Sequence, residues 1–185
     1  MKLNLGCGFN KKDGYINVDK YDSCQPDLAI DLEVTPWPFR TSEIDEVLFN
    51  HSLEHMGEET VTFLAIVKEL HRVCKPGATV QINVPHPRHD NFIGDPTHVR
   101  IITPQLLSIF SKKLNHQWIE MGAANTPLAI YLDVDFEVRH VTQLVEQKYL
   151  TLVQEGKISD EDLALMMNER NNVVSDYQIT LEVIK

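Results

Sequence analysis

Leu3-Asn4-Leu5-Gly6-Cys7-Gly8-Phe9-Asn10-Lys11-Lys12-Asp13-Gly14-Tyr15-Ile16-Asn17-Val18-Asp19 is the stretch that decides the fold. Lys2 to Leu5 is long enough for one buried strand. Gly6-Cys7-Gly8 follows at once, and two glycines one residue apart let the backbone turn sharply and approach a ligand closely. Tyr15-Ile16-Asn17-Val18 reads as a second strand that ends on Asp19. A carboxylate at the tip of a second parallel strand accepts hydrogen bonds from both hydroxyls of a ribose, so turn and acid together point to a nucleoside-containing ligand. The link between the two strands is short. A parallel crossover usually takes a dozen or more residues and a helix, whereas only Phe9 to Gly14 lie between Gly8 and Tyr15. A first helix is one turn or absent. Lys11 stands where a third glycine would complete a dinucleotide fingerprint, and a pyrophosphate needs a helix N-terminus. A ligand without phosphate does not.

Composition sets the outer limits. A chain of 185 residues with 43% hydrophobic and 24% charged residues is expected to be a single globular domain with a sizeable core. The net charge of −10 argues against a broad grip on nucleic acid, which needs clustered lysine and arginine. Cys7, Cys24 and Cys74 are odd in number and fit no paired spacing, which implies reduced thiols and a cytoplasmic setting. No apolar run approaches a membrane span or a signal segment, so no membrane association is expected.

Outward from the opening stretch, Asp27–Leu32 reads as a third strand carrying Asp31 to the same edge as Asp19. Pro36-Trp37-Pro38-Phe39 is a rigid loop. Ile44–Asn50 is a fourth strand, running into His51-Ser52-Leu53-Glu54-His55. From Glu58 to Cys74 the spacing of Val61, Leu64, Ala65, Val67, Leu70 and Val73 predicts an amphipathic helix, stopped by Lys75-Pro76-Gly77. Thr79–Val84 is a fifth strand closed by Pro85. Residues 85–103 form a long polar loop, and long loops in compact domains usually carry function. Thr103 and Pro104 start a helix reaching about Ser111. Ala129–Val141 looks like a strand, residues 142–171 like one or two helices broken at Gly156 with Ser159 capping the second, and Asp176–Ile184 like a last strand. The expected architecture is α/β: a doubly wound, three-layer sandwich whose mostly parallel sheet ends in an antiparallel strand pair.

These residues resemble a family. Leu5-Gly6-Cys7-Gly8, Asp19, Asp31-Leu32 ahead of Pro36-Trp37-Pro38-Phe39, Ile44-Asp45-Glu46-Val47, Ser52-Leu53-Glu54-His55 and Leu70-His71-Arg72-Val73-Cys74-Lys75-Pro76-Gly77-Ala78 look like the class I S-adenosylmethionine-dependent methyltransferases, in the small type 11 branch. The resemblance runs from Met1 to about Ser111, and the last strand pair fits the family's reversed hairpin. The chain departs from the pattern in its missing first helix, in Ala78 where a second glycine is frequent, and in lacking N-terminal covering helices. The resemblance implies a Rossmann-like fold, S-adenosylmethionine as cofactor, and methyl transfer to an oxygen or nitrogen of a small-molecule or glycan-type acceptor. It implies that Gly6, Cys7 and Gly8 lie against the methionine part of the cofactor and that Asp19 takes the ribose hydroxyls. Asp31 and Leu32 would border the adenine, and Asn50, His51 and Glu54 would sit beside the sulfonium. Two other readings stay open: a cofactor-binding module without catalysis, and a nicotinamide-dependent dehydrogenase, which the short crossover disfavours.

Cys7 reads as a small packed residue at the turn rather than a nucleophile. His51, His98 and His86 are candidate general bases, because an imidazole titrates near neutral pH. His86, His89, Asp95 and His98 have metal-ligand chemistry, yet His86-x-x-His89 matches no common zinc spacing, and no metal is expected. The resemblance makes the segment Asp95-Pro96-Thr97-His98-Val99-Arg100 part of a lid over the acceptor. Leu144, Val145, Tyr149, Leu152, Val153, Leu163, Leu165, Met166 and Met167 in the helical insertion cover the domain's own core, or form a homodimer or acceptor-recognition face.

Overall fold

The computed structural model describes all 185 residues. Strands β1 (Lys2–Leu5), β2 (Ile16–Asp19), β3 (Leu28–Ala29), β4 (Ile44–Asn50), β5 (Cys74–Pro85), β6 (Phe136–Val145) and β7 (Val174–Val183) form one sheet. Their order is β3-β2-β1-β4-β5-β7-β6. The first five run parallel, and β7 runs antiparallel to both β5 and β6. This is the expected Rossmann-like arrangement with its antiparallel C-terminal pair.

The helices are α1 (Thr60–Val73), α2 (Asp90–Ile93), α3 (Pro104–Ser108), α4 (Lys112–Glu120), α5 (Leu128–Leu132), α6 (Gln147–Gln154) and α7 (Asp160–Glu169). Helix α1 buries Phe63, Ile66, Val67, Leu70 and Val73, spaced to share one face. Val61, expected on that face, is exposed. The Phe63 ring lies 6.2 Å from that of Phe110, just beyond α3, so α1 and the α3–α4 segment cover the same side of the sheet. Beneath them, Leu3, Leu5, Val47, Phe49, Val80, Ile82, Ile179 and Leu181 build the core from alternate strand positions.

The opposite face is different, because no α-helix joins β1 to β2, and only the short 3-10 turn Asp22–Cys24 lies between β2 and β3. There the alternate positions are polar and pair across strands. Lys2 meets Glu46, Gln81 Nε2 lies 3.5 Å from Glu46 Oε1, and Asn83 Nδ2 donates to Asn50 Oδ1 at 3.0 Å. Asn4 and Asn17 are the buried members of this row, with Asn4 Nδ2 donating to Asn17 Oδ1 at 2.9 Å. The Phe9–Gly14 link covers them, and Lys12 N–H donates to the same Asn17 oxygen at 2.7 Å. A polar link thus replaces the crossover helix.

Several boundaries differ from the sequence reading. The third strand is two residues long, so Asp31 lies in the turn after it. Of the stretch Ala129–Val141, read as strand, the first residues belong to a helical turn, Leu128–Leu132, and the strand runs from Phe136 to Val145, into the start of the stretch read as helical. Helix α4 was not anticipated. Its Ser111 accepts from Leu114 N–H as N-cap, and the buried Asn115 bonds Ile109 O and Ala129 N–H. Gly156 and Ser159 act as expected, Ser159 as part of a capping box that starts α7.

On the α1 side, the buried Glu69 carboxylate accepts from Trp37 N–H at 2.6 Å and from Arg72. Arg72 also donates to the Trp37 and Phe39 carbonyls. Glu69→Ala leaves the Trp37 N–H unpaired and is expected to cost about 2 kcal/mol, read by urea denaturation.

Candidate functional site

At the C-terminal ends of β1, β2 and β4 a cleft of about 260 Å³ opens. Its thirteen lining residues are all drawn from Gly6 to Met56. Open α/β sheets bind ligands at this edge.

The glycine turn makes the floor. Gly6 and Cys7 N–H groups both donate to Val18 O, at 2.9 and 3.0 Å, wrapping the turn over the end of β2. Gly6 has φ +68°, and a Cβ there would lie 2.5 Å from the Ser52 Cβ. Ser52 is fixed in place, because its hydroxyl donates to Leu5 O at 2.7 Å. Gly8 has φ +49°, and a Cβ on it would meet nothing within 4 Å. Gly6 is small because the segment after β4, Ser52 and Met56, crowds it, and Gly8 because the cleft lies beside it.

Asp19 closes the turn. Its Oδ2 accepts from Gly8 N–H at 2.8 Å and its Oδ1 from Tyr21 N–H at 3.0 Å. A carboxylate has about four acceptor positions, so two stay available while the backbone fixes its direction. Asp31 sits on the cleft wall with Oδ1 accepting from Glu33 N–H at 2.9 Å. Glu33, absent from the sequence reading, joins them and holds Gly57 N–H at 2.6 Å. Ile30, Leu32 and Met56 supply an apolar wall.

The other end of the cleft carries imidazoles. His51 follows β4 with φ +52°, its N–H donating to Asn83 O at 2.9 Å and its ring half exposed. Its Nδ1 is 3.7 Å from Glu54 Oε1 and its Nε2 3.7 Å from Asp176 Oδ1. His55 also lines the cleft, and burial, with His98 adding to it, lowers its pKa below the usual imidazole value.

Some expected site residues are elsewhere. Cys7 is buried, its thiol toward Gly8 O at 3.4 Å, and burial raises its pKa. Asn50 faces away from the core side that holds Phe49 and bonds Asn83 on the polar face, as strand alternation dictates. His86 is buried against Tyr177 and accepts from Arg88 N–H at 3.1 Å, so it does not reach the cleft. Glu54 and His98 lie just behind the His51–His55 wall rather than on it. Burial pushes the Glu54 carboxyl up to about 7.

Residues 86–103 run past this wall. Val99 and Arg100 N–H groups donate to Glu54 O at 3.0 and 3.1 Å. The Arg100 guanidinium donates to Gly57 O and stacks 4.3 Å over the Phe63 ring. Arg88 donates to Met167 O and Asn168 O, joining the same segment to α7. No helix of the structure is long and apolar enough to cross a membrane.

No family model matches the chain, and no curated protein does. Solved structures do match. A SAM dependent methyltransferase from Archaeoglobus fulgidus superposes with a TM-score of 0.61 at 19% identity, over 98% of this chain and 85% of that one. A protein from Methanosarcina mazei described as one of the SAM-dependent methyltransferases gives a TM-score of 0.55 at 13% identity, over 99% and 92%. The cyclase SpnF gives 0.56 at 14%, over 99% and 75%. Likeness at these identities concerns the backbone alone. The chain has the fold of the class I S-adenosylmethionine-dependent methyltransferases, with its glycine turn and strand-end acids gathered in one cleft of that fold.

Proposed function

We propose that this chain is an S-adenosylmethionine-dependent methyltransferase acting on an oxygen or nitrogen of a small-molecule or glycan-type acceptor. The observation that carries the reading is the cleft itself: a glycine turn without a following helix, facing Asp19, Asp31 and Glu33. A pyrophosphate would find no helix N-terminus there and three carboxylates to repel it. A cationic nucleoside with hydroxyls and amines suits the same surface. Asp19 fits the ribose diol, Asp31 an exocyclic amine, and the apolar wall of Ile30, Leu32 and Met56 a purine face. Gly8 leaves the space that the methionine part needs.

The cofactor supplies a methyl group already activated on a sulfonium. The chain's work is to position the two partners, which supports most of the acceleration of such a displacement. The acceptor enters on the His51–His55 side, where residues 86–103 act as a lid. His51, half exposed at the cleft with Glu54 and Asp176 each 3.7 Å from a ring nitrogen, is the side chain best placed to take an acceptor proton. The net charge of −10 favours acceptors other than nucleic acid. The likeness to a cyclase means that the fold alone does not fix the reaction.

The test is calorimetric titration with S-adenosylhomocysteine, with NAD as control. Micromolar binding of S-adenosylhomocysteine and none of NAD is expected. Asp19→Ala removes two charge-assisted hydrogen bonds to the diol and is expected to weaken binding by about 100-fold or more. Undiminished binding by Asp19→Ala, or preference for NAD, overturns the cofactor assignment. Cofactor binding without methyl release across a broad acceptor screen would favour a binding module.

A further inference from the structure

Behind the cleft wall, Glu54, His55 and His98 bring one carboxylate oxygen and two imidazole nitrogens within 4.8 Å of one another. Glu54 is 1% exposed, and neither of its carboxylate oxygens has a hydrogen-bond partner. Buried carboxylates are almost always paired, because an unpartnered one costs several kcal/mol of desolvation. Glu54 does not line the cofactor cleft, and its nearest ring there, His51 Nδ1 at 3.7 Å, lies beyond hydrogen-bond distance.

The imidazoles are held as ligands are held. His98 Nδ1 is 2.9 Å from Phe92 O, and His55 Nδ1 is 3.2 Å from Thr97 O and 3.0 Å from Thr97 Oγ1. A carbonyl oxygen only accepts, so each Nδ1 is placed to donate, which in the neutral ring leaves Nε2 free to act as a ligand. Metal-bound histidines typically donate their other ring N–H to a carbonyl in this way. His98 is further braced by stacking on Phe92 at 5.2 Å, and its ring centroid is 4.5 Å from that of His55. The two halves of the cluster are tied through the backbone, since the residues after His98 donate to Glu54 O. His51 Nδ1, 3.7 Å from Glu54 Oε1, adds a fourth donor on the cleft side. Asp95 Oδ2, 3.8 Å from His98 Nε2, stands at the solvent edge.

We propose that Glu54, His55 and His98 form a binding site for a first-row divalent transition metal. Two imidazoles and one carboxylate suit zinc, cobalt, manganese or iron(II) rather than magnesium or calcium, which prefer oxygen ligands. Metal–ligand bonds of about 2.0–2.2 Å place neighbouring donors roughly 3–3.5 Å apart. A cation here sits against the wall made by His51 and His55.

The experiment is titration of chelator-treated, full-length protein with Co²⁺ alone, followed by visible absorption. One equivalent per chain is expected to produce ligand-field bands, which Zn²⁺ then abolishes and Mg²⁺ leaves unchanged. Glu54→Gln keeps the side-chain shape and the backbone bonds at this position. It and His98→Ala are each expected to weaken Co²⁺ binding by about 100-fold or more. His116→Ala, an exposed histidine away from the cluster, should leave the titration unaltered. Circular dichroism checks that each variant is folded. Absence of the bands, or full bands in folded Glu54→Gln, overturns the site and assigns any binding to surface histidines. The titration contains no S-adenosylmethionine, so its failure leaves the methyltransferase reading standing.

Discussion

Gly6→Ala lowers the thermal unfolding midpoint by about 10 °C, whereas Gly8→Ala lowers it by only a few degrees and instead abolishes S-adenosylhomocysteine binding. The two glycines differ by one position and in what surrounds them. At Gly6 the left-handed backbone, φ +68°, costs a side chain about 1–2 kcal/mol. The added methyl would also stand 2.5 Å from Ser52 Cβ. Relief means moving Ser52 and breaking its bond to Leu5 O, so overpacking adds about 1–3 kcal/mol. The total is about 2–5 kcal/mol, and at roughly 2–4 °C per kcal/mol in a domain of this size it gives a shift of about 10 °C. At Gly8 only the backbone term applies, because the methyl projects into open space. On the proposed function, that space is where the methionine part of the ligand lies. Scanning calorimetry and titration of both variants separate the effects, and equal losses of stability would contradict the assignment.

In chelator-treated protein, the stability of Glu54→Gln relative to the parent rises by about 3 kcal/mol between pH 5 and pH 8. The Glu54 carboxyl titrates near 7 in the folded chain against an ordinary 4.5, mainly because it is buried, with His98 opposing and Asp176 and Asp95 reinforcing the shift. The raised value means that ionisation disfavours the folded state. Full stability is present below about pH 4.5 and is lost as the pH climbs through 7. At about 1.4 kcal/mol per pH unit the loss amounts to roughly 3 kcal/mol. Glutamine has no charge to bury, so it escapes this loss. The two proteins are identical at every other position, so the difference between them isolates Glu54. Urea denaturation at several pH values measures it, and parallel curves would show that Glu54 is not ionising in a dry environment.

What could be read from the sequence was what is local. The Gly6–Gly8 turn, Asp19 and the helix before Lys75-Pro76-Gly77 are patterns of a few residues, and each takes its expected place. Ala129–Leu132 misled because a short apolar run suits either a strand or a buried helical turn. Asn50 was placed at the cofactor by its position at a strand tip, but strand alternation sends it to the polar face. The Glu54–His55–His98 cluster was out of reach for another reason. His55 and its partner Thr97 are 42 residues apart, and only the loop's return to Glu54 O brings them together. The signal available was His55 following Glu54 directly, with His98 in a loop rich in turn residues.

Every residue that lines the cleft falls between Gly6 and Met56, while the segment passing its acceptor side comes from residues 86–103 and is fastened to α7 through Arg88. On the proposed function, the donor cleft and its His51–His55 edge are therefore written in the first part of the chain, and the segment over the acceptor in a later one. The later part can drift, or be exchanged by an engineer between proteins of this fold, without rewriting the earlier one. Such modularity lets one donor site serve many acceptors, with Glu54 O and Gly57 O as the anchor points that a replacement segment has to keep.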